Sequence, residues 1–377
     1  MDSADHPVVG IKDVIDVAGL PTCAGLPLGT VEPANDDAAV VARLRARGVP
    51  LLGKTVPTPW ALNDPAPTLN PWDPDRTPGG SSAGSAVAVA TGMCDATVDT
   101  QTAGDVLRPA AFNGVVGLKP SAGWVGIGGT TRVAPSIDTI GMIARDVTSA
   151  AALFGLLRAS KARHPRIAPI RWPPRLATIE WGRERANPAV REAFDATARR
   201  LATAGAEIQA MSGAQLGIDL DAVHAAHRIV TFAECATYHA ERRRTYPEQF
   251  PPRARLVLDL GIITPQSAYR SAQELRAVAS RAVDVFLRGC DAALLPTVGS
   301  AAPARDTTGD NSLQIPWTLC GTPAISLPMG LDPEGMPLAI QLVAPTGADL
   351  QLLGVARWCE TVLDPVPPVL ATGTPGA

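Results

Sequence analysis

The chain has 377 residues, 46% of them hydrophobic and only 4% aromatic, which is enough apolar mass for one large domain or two ordinary ones. Lys and Arg number 33 against 36 Asp and Glu, a net charge of −3. That balance excludes a nucleic-acid partner, because phosphate binding needs clustered positive charge.

The N-terminus, Met1-Asp2-Ser3-Ala4-Asp5, is acidic and lacks an apolar signal region, and no apolar run reaches the length of a membrane span. A cytoplasmic protein without a membrane partner is the expectation. The six cysteines, Cys23, Cys94, Cys235, Cys290, Cys320 and Cys359, are scattered and form no C-x-x-C pair, so they read as free thiols.

In chain order, Val8–Lys12 reads as a short β-branched strand followed by a Gly- and Pro-punctuated loop. Asp36–Arg47 fits a helix closed by Gly48, and Val49–Lys54 a second strand. This alternation points to an α/β protein. Residues 56–80 are rich in Pro, Asn, Asp and Thr and read as loop. A small-residue helix follows Ser81–Ser85 and runs through Ala90. Residues 100–135, with Gly at 104, 114, 117, 123, 126, 128 and 129, read as a further loop-dense layer. Residues 190–206 fit an amphipathic surface helix, and Ser267–Arg288 a long helix ended by Gly289. Ala292–Pro296 reads as a buried strand. Ala324–Pro328 and Leu338–Val343 read as two strands around the turn Asp332-Pro333-Glu334-Gly335. No linker divides the chain. Residues 1–365 read as one domain, and 366–377 as a disordered Pro- and Gly-rich tail.

Three segments carry the chemistry. Gly10-Ile11-Lys12-Asp13-Val14 follows the first strand. Gly79-Gly80-Ser81-Ser82-Ala83-Gly84-Ser85 opens the small-residue helix. Thr100-Gln101-Thr102-Ala103-Gly104-Asp105-Val106-Leu107-Arg108-Pro109 comes next. With Gly53-Lys54-Thr55, Asn70-Pro71-Trp72, Asp138-Thr139-Ile140-Gly141 and Gly321-Thr322-Pro323, they occur in the order found in the amidase signature family, which the chain resembles from about residue 8 to about residue 362. The resemblance implies a single α/β/α domain around a large mixed β-sheet, here shortened at its N-terminus. It implies a Ser–Ser–Lys machinery with no cofactor. Lys12 is then the base and Ser81 the bridging residue in a cis peptide. Backbone N–H groups of Thr102, Ala103 and Gly104 form the oxyanion hole. Desolvated lysine can take a proton through a bridging hydroxyl, and backbone donors then stabilise the tetrahedral oxyanion.

Residue 105 is where that family carries its nucleophilic serine, and this chain has Asp. Gln101, Ala103 and Leu107 also depart from the family's usual Asp, Gly and Arg, and Arg108 follows one position later. Asp has no hydroxyl to acylate, and attack by its carboxylate on an amide leads to a high-energy anhydride. Three readings follow. In the first, the protein is an enzyme of rerouted chemistry on a carbonyl- or amide-bearing small molecule, in bacterial specialised metabolism. Asp105 is its general acid or base, with Lys12 and Ser81 as relay, for cyclisation, elimination, isomerisation or water-activated hydrolysis. In the second, it is a residual amidase or esterase with Ser81 as nucleophile and Lys12 as base. In the third, it is a non-catalytic ligand binder or partner protein, with Asp105 salt-bridged to Lys12.

Other features carry less. His224, His227 and Glu234 lack a third well-spaced metal ligand, so no metal is expected. Glycines 123–129 form no phosphate loop. Lys54 and Lys119 are expected to be structural. Ser82, Trp60, Trp124 and Trp317 are candidate substrate-pocket residues. A homodimer is the expectation, because symmetric dimers are the commonest oligomers.

Overall fold

The computed structural model describes residues 6–27, 31–158, 173–364, 366, 367 and 369. Most of the tail read as disordered therefore lies outside the described residues. The first half runs β1 (Val9–Lys12), α1 (Ala39–Arg45), β2 (Leu51–Thr55), α2 (Ala83–Ala90), β3 (Ala96–Gln101), α3 (Leu107–Asn113), β4 (Val116–Lys119), β5 (Thr139–Ala144) and α4 (Val147–Leu157). The second half runs β6 (Arg175–Ile179), α5 (Glu180–Glu184), α6 (Pro188–Thr203), β7 (Glu207–Met211), α7 (Leu220–Tyr238), α8 (Ala240–Thr245), α9 (Pro252–Ile263) and α10 (Gln266–Leu287). It ends with β8 (Ala292–Pro296), α11 (Ile315–Leu319), β9 (Ala324–Leu331), β10 (Pro337–Val343) and α12 (Asp349–Val362).

The ten strands form one mixed sheet in the order β2-β1-β3-β5-β4-β9-β10-β8-β6-β7. Its ends are parallel and its middle antiparallel: β1 pairs in parallel with β2 and β3, and β6 with β7 and β8. β5 shows how the layers form. Met142 and Ala144 join the core cluster containing Val147 and Phe154 of α4, whereas Ile143 joins the cluster containing Ala86 and Val89 of α2. Alternate side chains of a strand point to opposite faces, so α4 and α2 lie on opposite sides of the sheet. This is a single α/β domain.

β8 follows the sequence reading; β9 runs three residues past its expected end, β10 begins one residue early, and α10 departs by one residue at each end. Residues 100–135 correct it. They hold α3 and β4 as well as loop, and β4 is fully buried between β5 and β9. α1 begins at Ala39, not Asp36. Asp37 is used instead to accept the Ala18 N–H at 2.8 Å.

α9 packs against α7 at Gly261. A Cβ there would overlap the Phe232 carbonyl oxygen and stand 2.6 Å from Ala236 Cβ. Gly261→Ala is therefore expected to separate the two helices and destabilise the protein by about 2 kcal/mol. A lower chemical-denaturation midpoint would register this, and an unchanged midpoint would contradict it.

Candidate active site

The parallel pairing of β1 with β3 sets Ile11 opposite Val98, so the carboxyl ends of both strands lie side by side. Ligand sites of α/β sheets form at such ends. Lys12 closes β1, and Thr100 and Gln101 close β3. Lys12 is wholly buried, with its Nζ 2.7 Å from Ser81 Oγ, 3.2 Å from Thr100 Oγ1 and 3.3 Å from the Thr100 carbonyl oxygen. All three partners are neutral. Burial pulls the lysine below its usual 10.5, and attraction to Asp105, Asp99 and Asp138 works in the opposite direction. Ser81 follows a cis Gly80–Ser81 peptide, just before α2.

The ion pair between Asp105 and Lys12 that the non-catalytic reading assumes does not form. Its carboxylate folds back onto its own loop. Oδ2 accepts the Thr102 N–H at 2.8 Å and the Ala103 N–H at 2.7 Å, while Oδ1 accepts the Ser81 N–H at 3.3 Å. Gly104 makes this return possible. Its φ is +104°, and a Cβ there would meet Gln314 Oε1 at 2.6 Å. The carboxylate thus occupies two of the three backbone donors expected to serve as an oxyanion hole. The physical reason is proximity: backbone N–H groups two and three residues away are reached by a short side chain, whereas Lys12 is already engaged.

The residues around this loop hold it in place. Gln101 Oε1 accepts the Val106 N–H at 3.1 Å and the Leu107 N–H at 3.2 Å at the start of α3, and its Nε2 donates to Thr318 Oγ1 at 3.0 Å. Arg108 donates to the Gly80 carbonyl at 2.6 Å and the Gly309 carbonyl at 2.9 Å, tying α3 to the peptide that leads into Ser81. Thr102 Oγ1 donates to Asp138 Oδ1 at 2.6 Å, and burial pushes that carboxyl up to about 6. Lys54 pairs with Asp13 at 2.9 Å, and Lys119 donates to the Pro120 carbonyl at 3.0 Å, both within loop architecture.

Asp105, Thr102 and Ala103 line a cleft of about 270 Å³ together with His224, His227 and Arg228 of α7. Roomier depressions of about 440 and 490 Å³ lie around Arg242 and Tyr269 and include none of Lys12, Ser81 or Asp105. The expected pocket residues are not in this cleft. Trp317 is fully buried in the core, Trp124 stacks on Phe154, and Trp60 lies beside Arg242 in the separate depression. Ser82 is buried as well. Its Oγ faces the Asp99 carboxyl without reaching hydrogen-bond geometry, and its N–H donates to the Asp105 carbonyl at 3.2 Å. Large aromatics are cheaper to bury whole than to leave lining a small cleft.

Sequence reasoning misses Thr100, Asp99 and the site role of His227. Asp99 is wholly buried on β3, with its carboxyl pushed upward by burial and Oδ2 accepting from Thr97 Oγ1 at 2.6 Å. A carboxylate inside an otherwise β-branched run is the available signal. His227 suggests itself in the sequence only as a metal ligand. Glu234, its supposed companion, instead accepts from Ser136 and Tyr269.

Comparison with known proteins decides the family. The family model described as Amidase matches residues 7–353. The chain belongs to the amidase family. It is 30% identical to the A subunit of the glutamyl-tRNA(Gln) amidotransferase of Synechococcus sp. (strain RCC307), over 94% of this chain and 83% of that protein. Among solved structures, a crystal structure of an amidase superposes with a TM-score of 0.86 at 32% identity, covering 95% of this chain and 85% of the other. The A subunit of the glutamyl-tRNA(Gln) amidotransferase from Thermotoga maritima superposes with a TM-score of 0.81 at 27% identity, covering 96% and 86%. This amidase-family member is thus an enzyme of the class that acts on C–N bonds.

Gln101→Ala removes the acceptor for two buried N–H groups at the start of α3. Stability is expected to fall by about 2 kcal/mol, read from the denaturation midpoint. Retention of full stability would mean that the cap is dispensable.

Proposed function

We propose that Asp105 stands where other amidases carry the acylated serine, and that it acts as the proton-transferring group on an amide or related carbonyl compound bound in the cleft. The observation that carries this reading is the carboxylate on the Thr102 and Ala103 N–H groups. It faces the cleft, it has no hydroxyl to acylate, and it fills the donors that a tetrahedral oxyanion needs.

Carboxylate and oxyanion therefore compete for the same two N–H groups, and proton transfer resolves the competition. When Asp105 takes a proton from an attacking water, it loses its charge. Hydrogen bonds to a charged acceptor are about twice as strong as neutral ones, so the two donors are released as the substrate oxygen gains charge. The water oxygen bonds to the carbonyl carbon, and the carbonyl electron pair moves onto its oxygen. Asp105 then returns the proton to the leaving nitrogen as the C–N bond breaks. Each proton transfer of this kind contributes roughly 10²–10⁴-fold. In this reading the reacting atom lies on the cleft side of Asp105, and the hydrogen-bonded Lys12 and Ser81 lie buried behind it.

One observation favours a second reading: the 2.7 Å contact between Lys12 Nζ and Ser81 Oγ is short enough for lysine to activate Ser81 as a nucleophile. Against it, Ser81 is 1% exposed and its neighbour Asp105, not Ser81, lines the cleft.

The two readings separate experimentally. Ammonia or amine release from a panel of simple carboxamides and anilides is expected to fall about 100-fold in Asp105→Asn, while a fluorophosphonate probe leaves Ser81 unlabelled by peptide mass mapping. Equal turnover by the wild type and Asp105→Asn, or a Ser81 adduct, would overturn the Asp105 reading.

A further inference from the structure

His227 belongs to the buried stripe of α7, with Val223, Ala226 and Val230. It is 2% exposed, and its Nε2 stands 2.7 Å from the Thr102 carbonyl oxygen. A carbonyl only accepts, so Nε2 carries the hydrogen. Burial pushes the imidazole down to about 4, which leaves a neutral ring with its lone pair on Nδ1, an atom without a hydrogen-bond partner among the described residues. The groups around the ring are His224, Thr231, Thr102, Asp105 and Arg276.

The Thr102 carbonyl and the Ala103 N–H are the two ends of one peptide group. Both are engaged at 2.7 Å, the oxygen by His227 and the N–H by Asp105 Oδ2. A donor on the carbonyl pulls electron density toward oxygen and makes the N–H at the other end a stronger donor, because chained hydrogen bonds polarise one another. The side chain of Thr102 is held independently by Asp138, so at the carbonyl end of this peptide the side-chain contact is that of His227.

We propose that His227 is a positioning residue for the site, orienting and polarising the Thr102–Ala103 peptide so that its N–H is aimed at the charge on Asp105. It acts through that peptide, not on the substrate directly. The claim concerns the resting site and stands apart from the chemical role proposed for Asp105.

Two substitutions isolate it. Glutamine places a terminal N–H about where Nε2 lies and keeps the bond to the Thr102 carbonyl; asparagine is too short to do so. Amide hydrogen exchange at Ala103, followed by nitrogen-15 NMR, is expected to quicken about tenfold in His227→Asn and to stay near wild type in His227→Gln. The Ala103 amide proton should move upfield in the first and not in the second. Both effects should shrink when Asp105→Asn has already removed the charge. A role in packing alone predicts that the two variants behave alike, and that outcome overturns the proposal. Nitrogen-15 histidine spectra of the unmodified protein provide a check that needs no variant: Nε2 is expected to be protonated and Nδ1 bare, and the reverse tautomer would also overturn it. Where turnover is measured, kcat falls about tenfold in His227→Asn with KM unchanged. Failure of that arm alone, with the exchange pattern intact, would count against the reading of Asp105 and not against the role of His227.

Discussion

The contact between the Asp105 carboxylate and the Thr102 and Ala103 amides organises the surrounding site. A carboxylate buried to 7% exposure needs strong donors, and this one finds them within its own loop. The loop can offer them because Gly104 adopts a positive φ against Gln314. It stays in that shape because Gln101 secures the start of α3 and Arg108 anchors the helix to Gly80. Each support comes from a different element, so disturbing any one of them tilts the same two N–H groups.

The charge distribution behind the loop follows from burial. Lys12, Asp99 and Arg108 are all buried within reach of one another's fields, and Asp105 joins them at the cleft wall. The hydrogen bonds of Lys12 and Arg108 run to neutral oxygens, and those of Asp105 to backbone amides. Desolvation pulls Lys12 down and Asp99 up, so burial drives both toward their neutral forms. A stack of this kind stabilises the fold poorly and sets proton affinities well, and that exchange is characteristic of reactive sites.

Elements with their own local signal are legible in the sequence wherever they lie in the sheet, and the others are not. β8 is a short apolar run bounded by Asp and Pro, and α10 is a long amphipathic helix; both are local signals. β3, β4 and β5 are buried along their whole length, which erases the alternation that marks a half-buried strand. α3 is seven residues long with Pro at its third position, and the acceptor that satisfies its first N–H groups is a glutamine side chain from the preceding strand. No pattern within the helix announces it. At the site, motif order brings Lys12, Ser81 and Asp105 together. The partners Thr100 and His227 depend on the β1–β3 register and on a contact spanning 125 residues, information that no short segment contains. The Lys12–Asp105 ion pair of the non-catalytic reading fails for the same reason: the sequence displays the opposite charges but not the nearer backbone donors.

The hydrogen bonding of residues 101–108 bears on whether the site has decayed. A site drifting without function accumulates polar groups that lack partners, each a cost of about 1–3 kcal/mol when buried. Here residues 101–108 are knit together. Gln101 uses both ends of its amide, Asp105 both oxygens, and Arg108 both terminal nitrogens. Among the described residues, the buried atoms without partners at the site are Arg108 Nε, Asp99 Oδ1, Ser82 Oγ, Gln314 Oε1 and His227 Nδ1. Of these, only Arg108 Nε belongs to residues 101–108. Gln101, Asp105 and Arg108 form a connected set, in which the Asp105 carboxylate holds the Thr102 and Ala103 N–H groups and the residues on either side fix its geometry. Such coherence argues against a decayed site, because drift gives no reason for the cap at Gln101 and the clamp at Arg108 to fit around the carboxylate.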